Sequence, residues 1–192
     1  AAAPKGLKMT LLADESLYVT RALSSLLTEG LIAALLTATM ILVFLGSWRS
    51  TLIVFVSIPL SILSALLVMR VLGHTINTMV LGGLALAVGI LVDDATVELE
   101  NIHRNRAMGK TLTRAILDGA QQVAVPAFVA SLAIGLVFAA VFLLEGPAKY
   151  LFQPLGLAVG LSVMSSYLLS RTLVPTLVRY LLEHEAHGGA PG

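Results

Sequence analysis

Two aspartates stand side by side at positions 93 and 94, inside the run TMVLGGLALAVGILVDDATVELEN. Their neighbours are almost all Leu, Ile, Val, Ala and Gly. An ionised aspartate at the centre of a membrane helix costs about 2.5–3.5 kcal/mol on an insertion scale, and two cost roughly twice that. A chain that keeps both has a use for charge there. The chemistry that adjacent carboxylates offer in a low dielectric is proton binding, because desolvation and mutual repulsion both favour a protonated form. A carboxyl so placed holds a proton near neutral pH unless a cation pairs with it. Asp93 and Asp94 therefore suit a proton relay that loads on one side of a membrane and releases on the other. The driving energy is about 2.3 kcal/mol per proton for each 100 mV of potential. Because the two sites interact, their titration belongs to the pair.

Two other uses of the same residues stay open. Arg or Lys from neighbouring helices can neutralise the acids and make them a purely structural bridge. Carboxylates are also hard oxygen ligands for sodium or a divalent cation. No His lies within a helical turn of the pair, and His103 belongs to the far end of the segment. No metal site is expected, and no cofactor.

Helical spacing gives the pair a direction. Gly82, Ala85, Gly89 and Asp93 recur at intervals of three and four and share one face. Small residues at that spacing allow close helix packing, so this stripe is expected to meet a partner helix. Asp94 is turned about 100° from Asp93 and shares a face with Glu98. Glu98 and Glu100, nearer the end of the segment, are expected to be solvated or to pair with the basic loop that follows. Arg171, in SYLLSRTLVPTL, lies deep in its own apolar run. It could meet a membrane carboxylate, and its expected role is structural.

The elements that carry these residues follow from hydropathy. Of 192 residues, 57% are apolar and only 12% charged, about half the charged fraction of a soluble domain. The mean hydropathy is +0.93. The predicted fold is an all-α polytopic membrane bundle of about five transmembrane helices, preceded by a short amphipathic approach helix. Spans are expected from about Leu26 to Leu45, Thr51 to Leu72, Thr78 to Asn101, Val123 to Leu144 and Leu151 to Leu182. Each holds the roughly 20 mostly apolar residues that a hydrocarbon core of about 30 Å requires. Residues 1–21 read as the end of a polar region with the approach helix, 22–183 as the bundle, and 184–192 as an exposed linker. The start AAAPKGLKMT does not read as a signal peptide, and the chain is expected to be part of something longer.

Basic residues set the expected orientation. Arg104, Arg106, Lys110 and Arg114 crowd the loop between the third and fourth spans, which should be cytoplasmic. Pro59 and Pro175 fall inside spans and should kink them, whereas Pro126 is expected near the start of the fourth span, where proline costs little. Trp48 and Tyr150 read as interfacial anchors. There is no cysteine, and hence no disulfide or thiolate site. No phosphate-binding loop is present, and no Ser has a His and an Asp in plausible range. Neither an enzyme nor a nucleic-acid partner is expected.

At GGLALAVGILVDDATVELENIHR the chain resembles the resistance-nodulation-division superfamily of exporters, through the glycine pair, the Asp-Asp doublet, the Glu-Asn end and the basic loop. The resemblance continues through FLGSWRSTLIVFVSIPLSIL, AILDGAQQVAVPAFVASL and SYLLSRTLVPTL, and covers nearly the whole chain. It looks like the second to sixth transmembrane helices of the amino-terminal half. The resemblance implies a multi-pass pump of the bacterial inner membrane, a homotrimer working with a periplasmic adaptor and an outer-membrane channel. It assigns Asp93 and Asp94 the proton relay, facing a lysine in the carboxy-terminal helices of the same transporter. The doublet favours export of drugs and other hydrophobic or amphiphilic compounds over heavy-metal cations, while Glu98 departs from that branch's more common apolar residue. A different class remains open: a non-transporting membrane scaffold, or a subunit that assists protein translocation with a related bundle.

Overall fold

The computed structural model describes residues 46–187, without the side chains of 183–187, and scattered positions between 20 and 43. Most of the expected approach helix, nine of the twenty residues of the expected first span, and residues 188–192 of the expected linker lie outside the described residues. The described residues form an all-α bundle with no strand. Its helices are α1 (Trp48–Val71), α2 (Thr78–Ala107), α3 (Leu112–Ala139, continued by the 3-10 turn Ala140–Leu143) and α4 (Pro147–His187). All four are long and apolar enough to cross a membrane.

Local chemistry fixes the helix ends. Asn77 caps α2 by accepting the Val80 N–H through its side chain at 2.9 Å. The connection from α2 to α3 turns at Gly109, whose φ of +82° is left-handed and favours glycine. Pro147 opens α4 at the position where a missing N–H costs nothing.

The fourth span begins earlier than expected, at Leu112 rather than Val123. Its first three turns carry Arg114, Asp118, Gln121 and Gln122, which dilute the apolar signal without interrupting the helix. Ala115, Ile116 and Gly119 on their inner face are buried against the end of α2. Pro126 consequently lies well inside α3, not near its start. The ring leaves the Gln122 carbonyl without its helical partner, a cost tolerable in a bundle whose neighbours re-satisfy backbone groups. Pro59 and Pro175 lie inside α1 and α4 as expected, and α4 holds Pro154 as well.

The bundle is organised around α4, which packs against α1, α2 and α3. Its buried ridge runs Ala158, Ser162, Ser166, Ser170, Val174, Val178 and Leu182, one residue every fourth position. On α1 the corresponding ridge is Ile53, Ser57, Ser61, Ala65 and Met69, also buried throughout. Ridges of this period interlock with the grooves of a neighbouring helix. One apolar cluster joins Ile53, Val54 and Ile58 to Ala95, Leu99, Ile102, Ile116, Val174, Val178 and Leu182. A second joins Met69, Val80, Leu84 and Ala158. In sequence the buried serines of α1 and α4 fall largely between the two. Most of their hydroxyls donate to main-chain carbonyls: Ser57 to Val54, Ser61 to Ser57 and Ser170 to Tyr167. Small side chains that bond the backbone in this way allow helices to approach closely; Ser162 Oγ, buried with no partner among the described residues, is the exception.

Glycines mark the closest approaches, among them Gly156 of α4, where a Cβ would lie 2.9 Å from the Phe138 carbonyl oxygen of α3. A Cβ on Gly83 would lie 2.7 Å from the Leu155 carbonyl oxygen of α4, and one on Gly119 would lie 3.0 Å from the Ile102 Cα of α2. The approach at Gly119 is pinned by side chains. Asn101 Nδ2 donates to the Gly119 carbonyl at 2.8 Å and to Gln122 Oε1 at 3.0 Å, and Asn105 Nδ2 donates to the same Oε1 at 3.0 Å. Lys110 pairs with Asp118 at 2.8 Å across the connection.

Candidate functional site

The two sides of α2 differ sharply. One is buried through Leu84, Ala87, Val88, Leu91, Ala95, Leu99 and Ile102. The other carries an exposed stripe of Gly82, Leu86, Gly89, Asp93, Val97 and Glu100. Asp93 sits midway along that stripe, and nothing among the described residues would touch a Cβ on Gly82 or Gly89. Ala85 is half-buried at its flank. The sequence-predicted packing residues therefore share a face with Asp93, and Gly82 and Gly89 meet no helix among the described residues. Within this bundle the close packing of α2 is made by Gly83, which sequence spacing did not single out.

Asp94, about 100° round the helix, turns the other way. It is half-buried at the edge of the α2–α4 contact, its Oδ2 is wholly covered, and that oxygen accepts no hydrogen bond among the described residues. The Ser166 hydroxyl of α4 faces the carboxyl, while making only a long bond of 3.4 Å to the Leu91 carbonyl. Two adjacent acids thus occupy different surroundings: one on an open face, the other against a serine ridge.

One turn further along, the structure corrects the expectation for Glu98. It is not solvated: its relative exposure is 0%, and it forms an ion pair with Arg171 of α4. The physical reason is the α2–α4 interface, which covers the Glu98 position completely and brings the one arginine in the middle of α4 to it. Arg171 Nη1 also donates to the Ala120 carbonyl of α3 at 2.6 Å, and the guanidinium lies 5.9 Å from the centroid of the Tyr167 ring. Arg171 therefore joins α2, α3 and α4. Its Nε–H is buried and donates to nothing among the described residues. Arg171 and Asp94 are also close enough to interact electrostatically. An arginine deep in one apolar segment and acids deep in another were the available sequence signal for this pair.

His103, at the far end of α2, shares a hydrogen bond of 2.8 Å with Ser50 of α1. Glu100 is exposed. Trp48 and Tyr150 are exposed at the starts of α1 and α4, as interfacial anchors are. Among the described residues, no group of three or more His, Cys, Asp or Glu side chains is placed to hold a metal ion.

Comparison with known proteins bears on what such a bundle belongs to. The chain matches the AcrB/AcrD/AcrF family over residues 1–191. It is 31% identical over 182 residues to the multidrug resistance protein MdtC of Serratia proteamaculans, an alignment covering 95% of this chain and 18% of that protein. It is 32% identical over 188 residues to the cation efflux system protein CusA of Escherichia coli, covering 92% and 18%. The X-ray structure of a heavy metal efflux pump matches 98% of this chain and 19% of its own, with a TM-score of 0.72 at 30% identity. The chain thus spans less than one fifth of the length of these relatives. The family match over almost every residue, and the superposition of its helices on a solved efflux pump, place this chain in the AcrB/AcrD/AcrF family of resistance-nodulation-division efflux transporters.

Proposed function

We propose that this chain is the proton-coupling transmembrane segment of a proton-driven antiport efflux pump that exports drugs or other hydrophobic and amphiphilic compounds. The observation that carries the reading is the division of labour between the two acids. Asp93 opens on a stripe with no neighbour among the described residues, where a helix from the rest of the transporter and its basic residue would dock. Asp94 faces the α2–α4 contact, so gain or loss of its proton changes the charge at a helix interface. A protonation event can drive transport only if it biases two packings differently, and Asp94 is placed to do that. The whole protein, in this reading, is a homotrimeric secondary transporter of the bacterial inner membrane with a periplasmic adaptor and an outer-membrane channel.

The test is Asp93→Asn and Asp94→Asn in the full-length transporter, reconstituted in liposomes with ethidium as cargo. Both variants should insert and assemble normally yet lose export driven by a pH gradient. Export at the normal rate in either one refutes the coupling role, and loss of folding in both supports the scaffold reading instead. The stripe makes a separate prediction. Gly89→Leu fills the open face beside Asp93 and should weaken docking of the missing helix by about 1–3 kcal/mol. Thermal melting of the full-length protein should fall accordingly, whereas Val125→Leu, on the exposed face of α3, should leave it unchanged.

A second reading, export of a heavy-metal cation, is favoured by the names of CusA and of the solved heavy metal pump. The Asp-Asp doublet weighs against it through the family resemblance. Transport of Ag(I) rather than ethidium by the same liposomes would decide for the cation.

A further inference from the structure

The Glu98–Arg171 pair has no part in the relay proposed above, yet it lies one helical turn from it. Asp94 and Glu98 are four residues apart on α2 and share a face, and the guanidinium of Arg171 comes to that face from α4. Burying such a pair is a poor way to gain stability, since well-packed apolar side chains often serve as well or better. Besides the Glu98 oxygens, two buried atoms nearby make no hydrogen bond among the described residues. The Nε–H of Arg171 is a buried donor with no acceptor, and Asp94 Oδ2 is a buried acceptor with no donor. A guanidinium has five N–H donors in a rigid fork, and those of Arg171 that are engaged meet Glu98 and the Ala120 carbonyl.

We propose that Arg171 is a positioning residue for the aspartate pair: a cation shared between Glu98 and Asp94, held on Glu98 while Asp94 carries a proton and bearing on Asp94 when it is ionised. This rests on the reading of Asp93 and Asp94 as the proton site. Glu98 sets how much of the positive charge reaches Asp94, and Tyr167, beneath the guanidinium, gives it a face to pivot on. The other groups acting on Asp94 are Asp93 on its own helix and the Ser166 hydroxyl of α4. The charged residues of α1, Arg49 and Arg70, sit at its ends. On α3, Arg114 and Asp118 lie in the first two turns, where Asp118 is paired with Lys110 and Arg114.

The two ends of the pair then have opposite effects on protonation. Glu98→Gln removes the competing anion, leaves the full cation beside Asp94, and favours its ionised form. Arg171→Met removes the cation, leaves Glu98 beside Asp94, and disfavours that form. The experiment is an infrared pH titration of the purified full-length transporter, following the protonated-carboxyl band that Asp94→Asn abolishes. The midpoint should fall in Glu98→Gln and rise in Arg171→Met, each by on the order of one pH unit. The double variant E98M/R171M should lie between them. If Arg171→Met does not assemble, the comparison of Glu98→Gln with the double variant carries the same sign.

Midpoints that coincide with the unsubstituted protein, or that move in one direction in both variants, overturn the proposal. So does a titration in which Asp94→Asn removes no band. A structural bridge alone would lower stability without separating the midpoints. Failure of the coupling role is read independently, from export in Asp94→Asn: normal export there removes the relay whatever the titration shows.

Discussion

Gly83→Val in the full-length transporter should cost at least about 3 kcal/mol of stability, at or beyond the upper end of ordinary overpacking. A Cβ at this position would sit 2.7 Å from the Leu155 carbonyl oxygen, 3.2 Å from its Cα and 3.1 Å from the Ala158 Cβ. The first two are backbone atoms in mid-helix and cannot swing aside as a flexible side chain would. α2 and α4 must therefore separate. Val80, Leu84 and Ala158 pack together beside this point with Met69 of α1, so separation opens that apolar cluster too. The measurement is the midpoint of SDS-induced unfolding. Gly82→Val is the control, because nothing among the described residues lies within 4 Å of a Cβ there. Its loss in the full-length protein should be smaller than that of Gly83→Val, because the clash with the α4 backbone is absent. Equal midpoints for Gly83→Val and the unsubstituted protein would show that the close approach is not made.

Arg171→Ala should be comparably damaging for a different reason. It leaves Glu98 fully buried and without its cation, and breaking a buried pair from one side costs about 3–5 kcal/mol. It also takes the Nη1 donor from the Ala120 carbonyl. E98M/R171M should recover most of the loss, since two apolar side chains in the same space carry no stranded charge. The check is a double-mutant cycle on the same unfolding midpoint, with Arg171→Met and Glu98→Met as its two arms. A coupling energy near zero would mean that the pair contributes nothing as a pair.

Much of this was legible in the chain. The apolar runs announced α1, α2 and α4 to within a few residues at most ends, because twenty apolar residues in a row have few other uses. Asp93 and Asp94 stood out for the same reason, as charges where charge is expensive. The start of α3 was hidden, since a helix that leaves the apolar zone keeps its backbone pattern while its composition turns polar through Arg114, Asp118 and Gln122. The Glu98–Arg171 pair was hidden more deeply. Its members are 73 residues apart, and periodicity within one helix does not say which face meets which neighbour. Gly82 and Gly83 illustrate the limit: they are adjacent and identical in type, yet one lies against a carbonyl and the other on an open face.

The buried ridge of α4 has a consequence for how this segment tolerates change in length. From Ala158 to Leu182 every fourth residue faces the bundle, so the helix is read by phase as much as by composition. Inserting one residue between Ala158 and Ser170 rotates everything after it by about 100°. The inserted register would turn Ser170, Val174 and Val178 away from the core and carry Arg171 off Glu98 in the same stroke. An insertion of four residues nearly restores the phase but slides the arginine about 6 Å along the axis, one turn past its partner. This stretch should therefore accept many substitutions among small and branched side chains while rejecting insertions and deletions of almost any size.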